Sequence, residues 1–476
     1  MKKLNYLLIG LFVASCLSGC GNQTNYDENY GVYDGSEVTI KFYHTMGNTL
    51  KPVFDNYLAR FNEMYPNIHV EAKSIGNYDD VRDQIKTEIS AADGPNIAYC
   101  YPDHIALYNK ANRIVQLDNY IDNKALQTTY YEDADENYTE VLGLTQTQID
   151  DFVTGYYEEG RAFGDGKMYS LPLSKSTEVL YYDLTFFQKH NLKVPTTWDE
   201  MESVCRQIKE INEASIPLGY DSSSNWFITM CEQYNSPYTS ATGDHYLFNN
   251  DTNKAFVRKI SDWYKEGLVT IKELYGSYTS GLFTNLKETD GKLIRSYMCI
   301  GSSAGATYQL PQLINGEYPF EVGIAPIPQV SKETASVISQ GPSLCLFKSD
   351  NVQQVNASCL LMKFLTTNLA FQAEFSMFSG YVPVIKSVFE NEIYKNDFLD
   401  LGDTTRNLAA SSVKVCVEQA DNYFYSPAFV GSSEARDQVG GILANAMTQA
   451  TSADGLTDAE LNTIFQDAVD ECEYMS

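Results

Sequence analysis

The sequence has little histidine and tryptophan, and it is poor in basic residues. Five histidines and three tryptophans stand among 476 residues. The 34 lysines and arginines are outnumbered by 62 aspartates and glutamates, which gives a formal net charge of −28. A chain this acidic repels nucleic acids and anionic lipid headgroups, because both are negatively charged. We therefore expect no nucleic-acid partner.

A long apolar run is also missing after the first 20 residues, so no membrane span is predicted in the body of the chain. The N-terminus carries a short apolar run, Leu4 to Leu17, behind Lys2 and Lys3. It is too short for a span, which needs about 20 residues, but it has the length and flanks of a secretory leader. The run ends in "LSGC", which resembles the lipobox of bacterial lipoproteins. An ordinary leader that happens to contain a cysteine is the alternative.

The leader predicts a lipoprotein signal peptide over residues 1–20, with Cys20 as the site of lipid attachment. Residues 21–36 have almost no aliphatic side chains and predict a flexible tether. A lipid chain anchors a protein without spanning the bilayer, since each buried methylene contributes about 0.8 kcal/mol. We therefore expect a bacterial lipoprotein at the extracellular face of the cell membrane.

Paired cysteine motifs are absent. Eight cysteines follow Cys20, but none forms a C-x-x-C pair and no histidine stands beside them at metal-ligand spacing. An exported chain can pair its cysteines as disulfides, whereas the apolar neighbours in "SLCLF" and "ASCLLM" suit free buried thiols. Both alternatives stay open, and we expect no metal site and no cofactor.

The residue order of a serine hydrolase is absent as well. "GSSAG" at 301–305 fits the G-x-S-x-G elbow with Ser303 as nucleophile, which requires an acid and then a histidine downstream. All five histidines precede Ser303. The motif then predicts a tight turn whose small residues let the backbone approach a ligand. We expect no enzymatic activity, and a glycosidase, which needs a pair of carboxylates, is the less favoured alternative.

The spacing of apolar residues predicts an α/β chain. The segment from "VTIKFYH" to "PNIAYCY" alternates strand, helix, strand, helix and strand, which predicts a mostly parallel sheet flanked by helices. The pattern restarts after residue 165, where Thr197 and Glu200 form a capping box. "NASCLLMKFLTTNLAFQAEFSMF" predicts one long helix ending at Gly380, and Thr457 with Glu460 opens a C-terminal helix. We predict two lobes with a binding site between them.

Aromatic side chains are plentiful, with 35 tyrosines and 23 phenylalanines. A sugar ring has an apolar face and a rim of hydroxyl groups. Aromatic rings can cover that face, and Ser, Asn, Asp and Tyr side chains can hydrogen-bond to the rim. Much of this inventory is ordinary packing, but its size favours a carbohydrate ligand.

Seven segments together resemble one protein family. In order they are "VTIKFYHTMGN", "FNEMYPNIHVEAKSIGNYDD", "SAADGPNIAYCYPDHIALY", "GYYEEGRAFGDGKMYSLPLSKSTEVLYYDLTFFQKHNLKVPTTWDEM", "VGIAPIP", "ISQGPSLCLF" and "SGYVPV". They resemble the extracellular solute-binding proteins of family 1, which are maltose-binding-protein-like receptors of ABC importers. The resemblance runs from residue 37 onward and is greatest to the branch of glycerol-3-phosphate and glycerophosphodiester receptors. It implies a two-lobed, type II periplasmic-binding-protein-like α/β fold, in which the lobes close on a ligand.

The resemblance also implies boundaries and site residues. The N-terminal lobe would comprise 37–174 and 326–368, and the C-terminal lobe 178–322 and 372–476, with crossings near 174–178, 322–326 and 368–372. The implied ligand-binding residues are Tyr43, His44, Tyr78, Ser176, Trp226, Ser302, Ser303, Gly341 and Tyr381.

Two positions depart from that branch. Its ligand-binding Glu after the third strand is replaced here by Pro102, with Asp103 next, and its Arg near the C-terminus is replaced by Phe429. A guanidinium fork is the natural partner of phosphate, so its loss disfavours a phosphorylated ligand. An aromatic residue suits an uncharged sugar. Asp103 and Phe429 complete the predicted site.

The resemblance therefore implies a lipid-anchored, monomeric receptor without a cofactor. It would capture a neutral mono- or oligosaccharide and deliver it to the permease subunits of an ABC importer. The alternative within the family is a receptor for glycerol 3-phosphate or a glycerophosphodiester.

Replacing Cys20 tests the anchor. Cys20→Ala should abolish incorporation of radioactive palmitate and slow leader removal, because the thioether that carries the lipid cannot form. Metabolic labelling followed by gel electrophoresis measures both effects, with Cys16→Ala in the same leader as the matched control. Labelling of the Cys20→Ala protein at the wild-type level would contradict the lipobox.

Overall fold

The computed structural model describes residues 30–48, 50–89, 93–129, 138–400 and 407–475. The predicted leader, Cys20 and residues 21–29 of the predicted tether lie outside these ranges. None of the helices in the described ranges has the length and apolar content needed to cross a membrane.

Two five-stranded sheets organise the chain. The strands are β1 (Val38–His44), β2 (Ile68–Ser74), β3 (Ile97–Cys100), β4 (Leu126–Thr129), β5 (Tyr138–Val141), β6 (Leu171–Pro172), β7 (Glu178–Asp183), β8 (Leu218–Tyr220), β9 (Val269–Ile271), β10 (Met298–Ser302), β11 (Val322–Pro326), β12 (Val337–Ile338), β13 (Ser343–Leu346) and β14 (Tyr423–Phe424). The first lobe contains the sheet β2-β1-β3-β13-β6, and the second lobe contains the sheet β11-β7-β10-β8-β9. The pairs β4-β5 and β12-β14 are separate.

Both sheets are mixed, whereas the sequence pattern predicts mostly parallel ones. β1 pairs in parallel with β2 and β3, as the β-α-β-α-β order requires. β13 runs antiparallel to β3 and β6, and β7 runs antiparallel to β10 and β11. The chain enters β7 and β13 from the other lobe, so no crossover helix turns these strands into the parallel direction.

The helices cover the faces of the sheets. They are α1 (Lys51–Met64), α2 (Tyr78–Glu88), α3 (Pro102–Lys110), α4 (Asp118–Ile121), α5 (Gln146–Asp151), α6 (Thr154–Glu158), α7 (Leu184–His190), α8 (Trp198–Ile211), α9 (Ser223–Gln233), α10 (Asp251–Lys265), α11 (Lys272–Tyr275), α12 (Ser280–Phe283), α13 (Val352–Thr367), α14 (Leu369–Ser379), α15 (Ser387–Glu390), α16 (Glu392–Asp397), α17 (Leu408–Glu418), α18 (Ser432–Ala450) and α19 (Asp458–Met475). Short 3-10 helices span Glu159–Arg161, Ser303–Gln309 and Ala420–Asn422.

Both predicted capping boxes are confirmed. The backbone N–H of Glu200 donates to Thr197 Oγ1 at 3.2 Å, and that of Glu460 donates to Thr457 Oγ1 at 3.2 Å. Each glutamate accepts in return from the backbone N–H of its threonine, at 3.3 Å and 2.8 Å respectively. The boxes satisfy N–H groups that the first helical turn leaves without partners.

The predicted long helix before Gly380 is broken into α13 and α14. Asn368 between them has a ψ of 109°, which leaves the helical region, and its side-chain oxygen accepts a hydrogen bond from the backbone N–H of Phe371 at 2.9 Å. Asn368 thus ends one helix and caps the next. Gly380 ends α14 with a φ of 75°, as predicted.

Each lobe has its own apolar core. In the first lobe, Phe42 of β1 packs on Phe54 of α1 with 5.2 Å between ring centroids. In the second lobe, Trp226 of α9 stacks on Tyr220 of β8 at 4.5 Å. The cores also hold cysteines: Cys100, Cys205, Cys231, Cys299, Cys345, Cys359 and Cys416 are free buried thiols, and Cys472 is buried too.

Residues 30–36 lie against the first lobe, although the sequence predicts that the tether extends to residue 36. Tyr30 and Tyr33 are buried in the first-lobe core. The hydroxyl of Tyr33 donates to the Ser36 carbonyl at 2.5 Å, and its backbone N–H donates to Gln127 Oε1 at 2.8 Å. The two tyrosine rings attach residues 30–36 to the first lobe, although this segment has almost no aliphatic side chains. The tether is therefore shorter than predicted.

The segments that connect the lobes pair with each other. The chain crosses between β6 and β7 and returns between β11 and β13. Ser176 N–H donates to Gln340 O at 2.7 Å, and Gln340 N–H donates to Ser176 O at 2.9 Å. Gly341 permits this approach, because its φ is +107° and a Cβ there would lie 2.7 Å from Ser174 O and 2.8 Å from Lys175 Cα. The exact residues at which the lobes begin and end stay a prediction.

The chain after residue 369 contacts both lobes, whereas the sequence assigned 372–476 to the C-terminal lobe. Val153 N–H of the first lobe donates to Val384 O at 2.9 Å, and Ser387 N–H donates to Asp151 Oδ1 of the first lobe at 2.8 Å. Buried residues of α18 and α19 belong instead to the second-lobe core.

Candidate functional site

A cavity lies between the two lobes and encloses about 60 Å³. That volume holds only a few water molecules. The lining comprises Tyr101, Pro102, Asp103 and Glu159 from the first lobe, Ile228, Tyr238, Ser432 and Arg436 from the second, and Ile338, Ser339, Gln340, Tyr425, Ser426 and Pro427 from the connecting segments.

Three tyrosines form one wall beside this cavity. Tyr101 follows β3, and Tyr78 begins α2 after the capping residue Asn77. The rings of Tyr78 and Tyr101 stack at 4.5 Å, and the hydroxyls of Tyr78 and Tyr381 lie 3.2 Å apart. Burial raises the pKa of all three hydroxyls, so they remain protonated and can both donate and accept hydrogen bonds.

Three predicted serines lie where a connecting segment meets the second sheet. Ser302 Oγ donates to Ser176 Oγ at 3.4 Å, and Ser303 Oγ accepts from the backbone N–H of Thr177 at 3.3 Å. Ser303 is fully buried, so its hydroxyl holds the connecting segment and presents no nucleophile. These serines lie close to the tyrosine wall at Gly380, the residue before Tyr381. A Cβ at Gly380 would lie 2.9 Å from the backbone oxygen of Ser303. Tyr78 thus lies beside Tyr381, and Ser176 beside Ser302 and Gly341, but of the predicted residues only Asp103 is in the cavity lining that the described residues form.

A buried carboxyl group lies behind the cavity. Glu178 accepts hydrogen bonds from the Tyr220 hydroxyl at 2.5 Å and from Asn225 Nδ2 at 3.1 Å. Asn225 Nδ2 also donates to Gln340 Oε1 at 2.9 Å, and Asn225 Oδ1 accepts from the Arg436 guanidinium. Burial raises the pKa of the Glu178 carboxyl to about 7. The group therefore titrates near neutral pH, two hydrogen bonds away from the lining residues Gln340 and Arg436.

A buried ion pair supports the other side of the cavity. Glu159 pairs with Lys175, and the exposed fractions of the two side chains are 4% and 0%. Lys175 Nζ also donates to Ser343 Oγ at 3.2 Å and to the Gly341 carbonyl at 3.4 Å. The pair joins the cavity wall to both connecting segments. Because Glu159 is engaged by an ammonium group, it is poorly suited to act as a catalytic acid or base.

Tyr43 and His44 do not line the cavity, which differs from the prediction. The Tyr43 hydroxyl donates to Glu88 Oε2 at 2.9 Å, on the face of the sheet that α2 covers. His44 is buried with its ring against Phe54 and Tyr99. Burial lowers the pKa of its imidazole to about 4, so it is neutral at physiological pH. Strand alternation directs the two side chains to opposite faces of the sheet, Tyr43 toward α2 and His44 toward α1, and both are buried in the first lobe.

Trp226 and Phe429 also differ from the prediction of a ligand-facing wall. Trp226 is 0% exposed and lies between Trp198 and Tyr220, with 5.7 Å and 4.5 Å between ring centroids. Phe429 is buried and stacks on His245 at 4.8 Å. Both rings fill the second lobe and contribute no surface to the cavity lining.

Of the fourteen described residues that line the cavity only Asp103 is among those predicted, and the aromatic and cationic residues Tyr101, Tyr238 and Arg436 are notable among the others. A sequence signal exists for Tyr101, because it follows a buried strand at the edge where α/β sheets place binding residues. Arg436 lies in the second turn of α18, and only the rotation of that helix directs it to the cleft. Tyr238 lies in an irregular loop between α9 and α10, where no periodicity marks a facing direction.

Comparison with known proteins agrees with this architecture. A family model described as "Bacterial extracellular solute-binding protein" matches residues 56–399. The multiple sugar-binding protein of Streptococcus mutans is 22% identical over 417 residues, which cover 82% of this chain and 84% of that protein. An uncharacterized ABC transporter extracellular-binding protein of Pyrococcus horikoshii is 24% identical over 233 residues, which span 48% of this chain and only 49% of that protein. The sn-glycerol-3-phosphate-binding protein UgpB of Salmonella typhimurium is 26% identical over 194 residues, 40% of this chain and 38% of its own length.

Solved structures share the two-lobed fold. UgpB of Mycobacterium tuberculosis in complex with glycerophosphocholine has a TM-score of 0.69 at 16% identity, with 92% of this chain and 98% of that chain covered. Maltose-bound MalE3 of T. maritima has a TM-score of 0.67 at 16% identity, with 94% and 100% covered. This likeness establishes the type II binding-protein fold.

Glu178→Gln should change how stability depends on pH. The native carboxyl keeps its proton up to about pH 7, whereas an unperturbed glutamate loses it near 4.5. The native state therefore binds more protons in this window, and the contribution of Glu178 to the free energy of unfolding falls as pH rises. Over 2.5 pH units the change is about 3 kcal/mol. The variant should lack this fall.

Urea unfolding between pH 4.5 and 8 measures the effect. Glu210→Gln, at an exposed position of α8, is the matched control. Parallel pH profiles for the wild type and Glu178→Gln would show that this carboxyl does not titrate in the window.

Proposed function

Because the chain belongs to the family of bacterial extracellular solute-binding proteins, we propose that it is the substrate-binding receptor of an ABC importer. Its cleft captures a carbohydrate, with a neutral mono- or oligosaccharide favoured, and delivers it to the membrane permease. Recognition requires no covalent chemistry, and we propose that the protein catalyses no reaction.

The observation that carries this proposal is the composition of the cleft. Tyr101 faces it from the first lobe and Tyr238 from the second, so two aromatic side chains approach the cavity from opposite sides. Asp103, Gln340 and Ser432 supply a carboxylate, an amide and a hydroxyl in the same lining. Flat rings with a few polar groups suit the apolar faces and hydroxyl rim of a sugar.

The named relatives support a sugar ligand. The multiple sugar-binding protein of Streptococcus mutans aligns over 84% of its length, while the sn-glycerol-3-phosphate-binding protein UgpB of Yersinia pestis aligns over 75% of its own. Several of the solved structures with this fold are of maltose- or maltotriose-binding proteins.

The charges around the cavity favour an uncharged ligand. Asp103 and Glu159 bring two carboxylates to the lining and Arg436 brings one guanidinium. A phosphate that enters a closed cleft loses its hydration and needs several cationic or N–H partners. Lys175 already pairs with Glu159, but beside the Asp103 carboxylate, which is unpaired among the described residues, that exchange is less favourable than the burial of a neutral sugar.

Arg436 nevertheless favours a second candidate, a receptor for glycerol 3-phosphate or a glycerophosphodiester. Its guanidinium lines the cavity, and its side-chain partner among the described residues is the neutral amide of Asn225. A ligand phosphate could take the remaining donors of this fork. Under this candidate Arg436→Gln would abolish binding, whereas under the favoured one it would only weaken it.

A glycosidase is the least supported candidate. Of the two carboxylates in the lining, Glu159 is paired with Lys175, which leaves Asp103 without a second free carboxylate in the cavity lining that the described residues form. Both the retaining and the inverting mechanism of glycoside hydrolysis need a pair of carboxyl groups.

The remaining features of the proposal concern the cell surface. We propose that a lipid on Cys20 holds a monomeric receptor at the extracellular face of the membrane, through a tether that ends near residue 30. "LSGC" and the polar stretch that follows it support the anchor. Closure of the two lobes supplies the signal that the permease recognises.

Tyr101→Ala should weaken binding of the cognate saccharide about 10- to 30-fold, because truncation of a buried aromatic anchor costs about 1.4–2 kcal/mol. A thermal-shift screen of neutral saccharides, glycerol 3-phosphate and glycerophosphocholine identifies the ligand, since saturation at 100 times Kd stabilises by about 2.7 kcal/mol. Titration calorimetry then gives the affinities. Tyr474→Ala is the matched control, because that ring is 88% exposed at the C-terminus.

Micromolar binding of a glycerophosphate, with no response to any neutral sugar, would overturn the favoured ligand class and support the second candidate. Turnover of an oligosaccharide would overturn the receptor assignment altogether.

A further inference from the structure

We propose that Arg82 is a latch between the two lobes and sets the affinity of the cleft without touching the ligand. The proposal rests on the proposed function in so far as the latch regulates ligand capture. Its structural content, a charged contact that favours the closed cleft, holds whatever the ligand is.

The contact joins elements that belong to different lobes. Arg82 lies on α2, whose buried residues Val81 and Ile85 belong to the first-lobe core around β3. Its Nη1 donates to Ser433 Oγ at 2.9 Å and lies 3.2 Å from Asp437 Oδ2. Ser433 and Asp437 are on α18, whose apolar face packs into the second-lobe core. Opening the cleft must therefore break both hydrogen bonds.

The position of the latch couples it to the cavity. Tyr78, which begins α2 one turn before Arg82, stacks on the lining residue Tyr101. On α18, Ser432 and Arg436 each precede a latch residue by one position and line the cavity. Formation of the latch thus brings the two walls of the cavity together, yet Arg82 itself is not in the lining.

Two acidic residues on the same helix orient the Arg82 side chain in both the open and the closed cleft. Its Nε donates to Asp83 Oδ1 at 2.9 Å, and its Nη1 lies 3.3 Å from Asp79 Oδ1. The side chain is 13% exposed, so in the closed cleft it is largely desolvated. In the open cleft these same-helix carboxylates still hold the guanidinium and point it toward α18. The latch therefore re-forms with little loss of side-chain entropy.

The latch affects every ligand by the same factor. A ligand that binds the closed cleft has an apparent Kd equal to its intrinsic Kd divided by the closed fraction. Arg82 changes only that fraction. A residue that contacts the ligand would instead change the ratio of affinities between two ligands, so the two roles are separable by measurement.

Arg82→Met should weaken binding about three- to tenfold, the range expected for a partly buried charged pair. The factor should be equal for two different ligands of the cleft. Asp437→Asn, which removes one of the two hydrogen bonds, should show an equal or smaller loss. The Arg82→Met/Asp437→Asn double variant should bind no more weakly than Arg82→Met alone, because Arg82→Met already removes both bonds. Arg206→Met, which removes an ion pair within the second lobe and spares the contact between α2 and α18, is the matched control. Titration calorimetry measures all four proteins.

A ligand-free measurement separates failure of the latch from failure of the proposed function. Nitroxide labels at E71C on β2 and D454C beyond α18 report the distance between the lobes, and the eight cysteines of the described ranges are buried. Pulsed electron resonance should show longer distances for Arg82→Met than for the wild type, and wild-type distances for Arg206→Met. Superimposable distributions for the wild type and Arg82→Met, or additive losses in the double variant, would overturn the latch. A longer distance in Arg82→Met with no saccharide bound by any variant would support the latch and count against the proposed function.

Discussion

The ion pair between Lys175 and Glu159 is the contact on which the arrangement of the two lobes depends. Lys175 lies in the segment that crosses to the second lobe, and its ammonium reaches Ser343 and the Gly341 carbonyl in the returning segment. Glu159 lies in the first lobe and lines the cavity. A buried ion pair contributes little net stability, but removal of one partner leaves a costly unpaired charge. The pair therefore fixes the register of both connecting segments against the cleft.

Gln340 links the polar groups of the cleft to the connecting segments that the Lys175–Glu159 pair holds. Its backbone pairs with Ser176, one residue after Lys175, and its side chain accepts a hydrogen bond from Asn225. Asn225 in turn contacts Glu178 and Arg436. Side chains that recognise a ligand are thus connected to the backbone about which the lobes rotate. Under the proposed function, rotation of one lobe relative to the other would bring Tyr238 and Arg436 toward Tyr101, as in the hinge closure of two-lobed binding proteins.

Local signals in the sequence predict much of this fold. Apolar periodicity predicts the first five elements, Thr197 and Thr457 are confirmed as helix caps, and Tyr78 and Tyr381 meet although they are far apart in sequence. The break at Asn368 is not visible in the pattern, because apolar residues continue on both sides of it.

The facing direction of single side chains could not be predicted in the same way. An aromatic ring in a turn-rich segment can fill the core or line a cleft, and Trp226 and Phe429 fill the core. Arg436 lies in the cleft only because α18 packs at one particular rotation on the second lobe. Small-angle X-ray scattering with and without a saturating saccharide tests the central claim, a cleft that closes on a carbohydrate. The account predicts a smaller radius of gyration at unchanged monomer mass, and an unchanged curve beside stoichiometric calorimetric binding would contradict it.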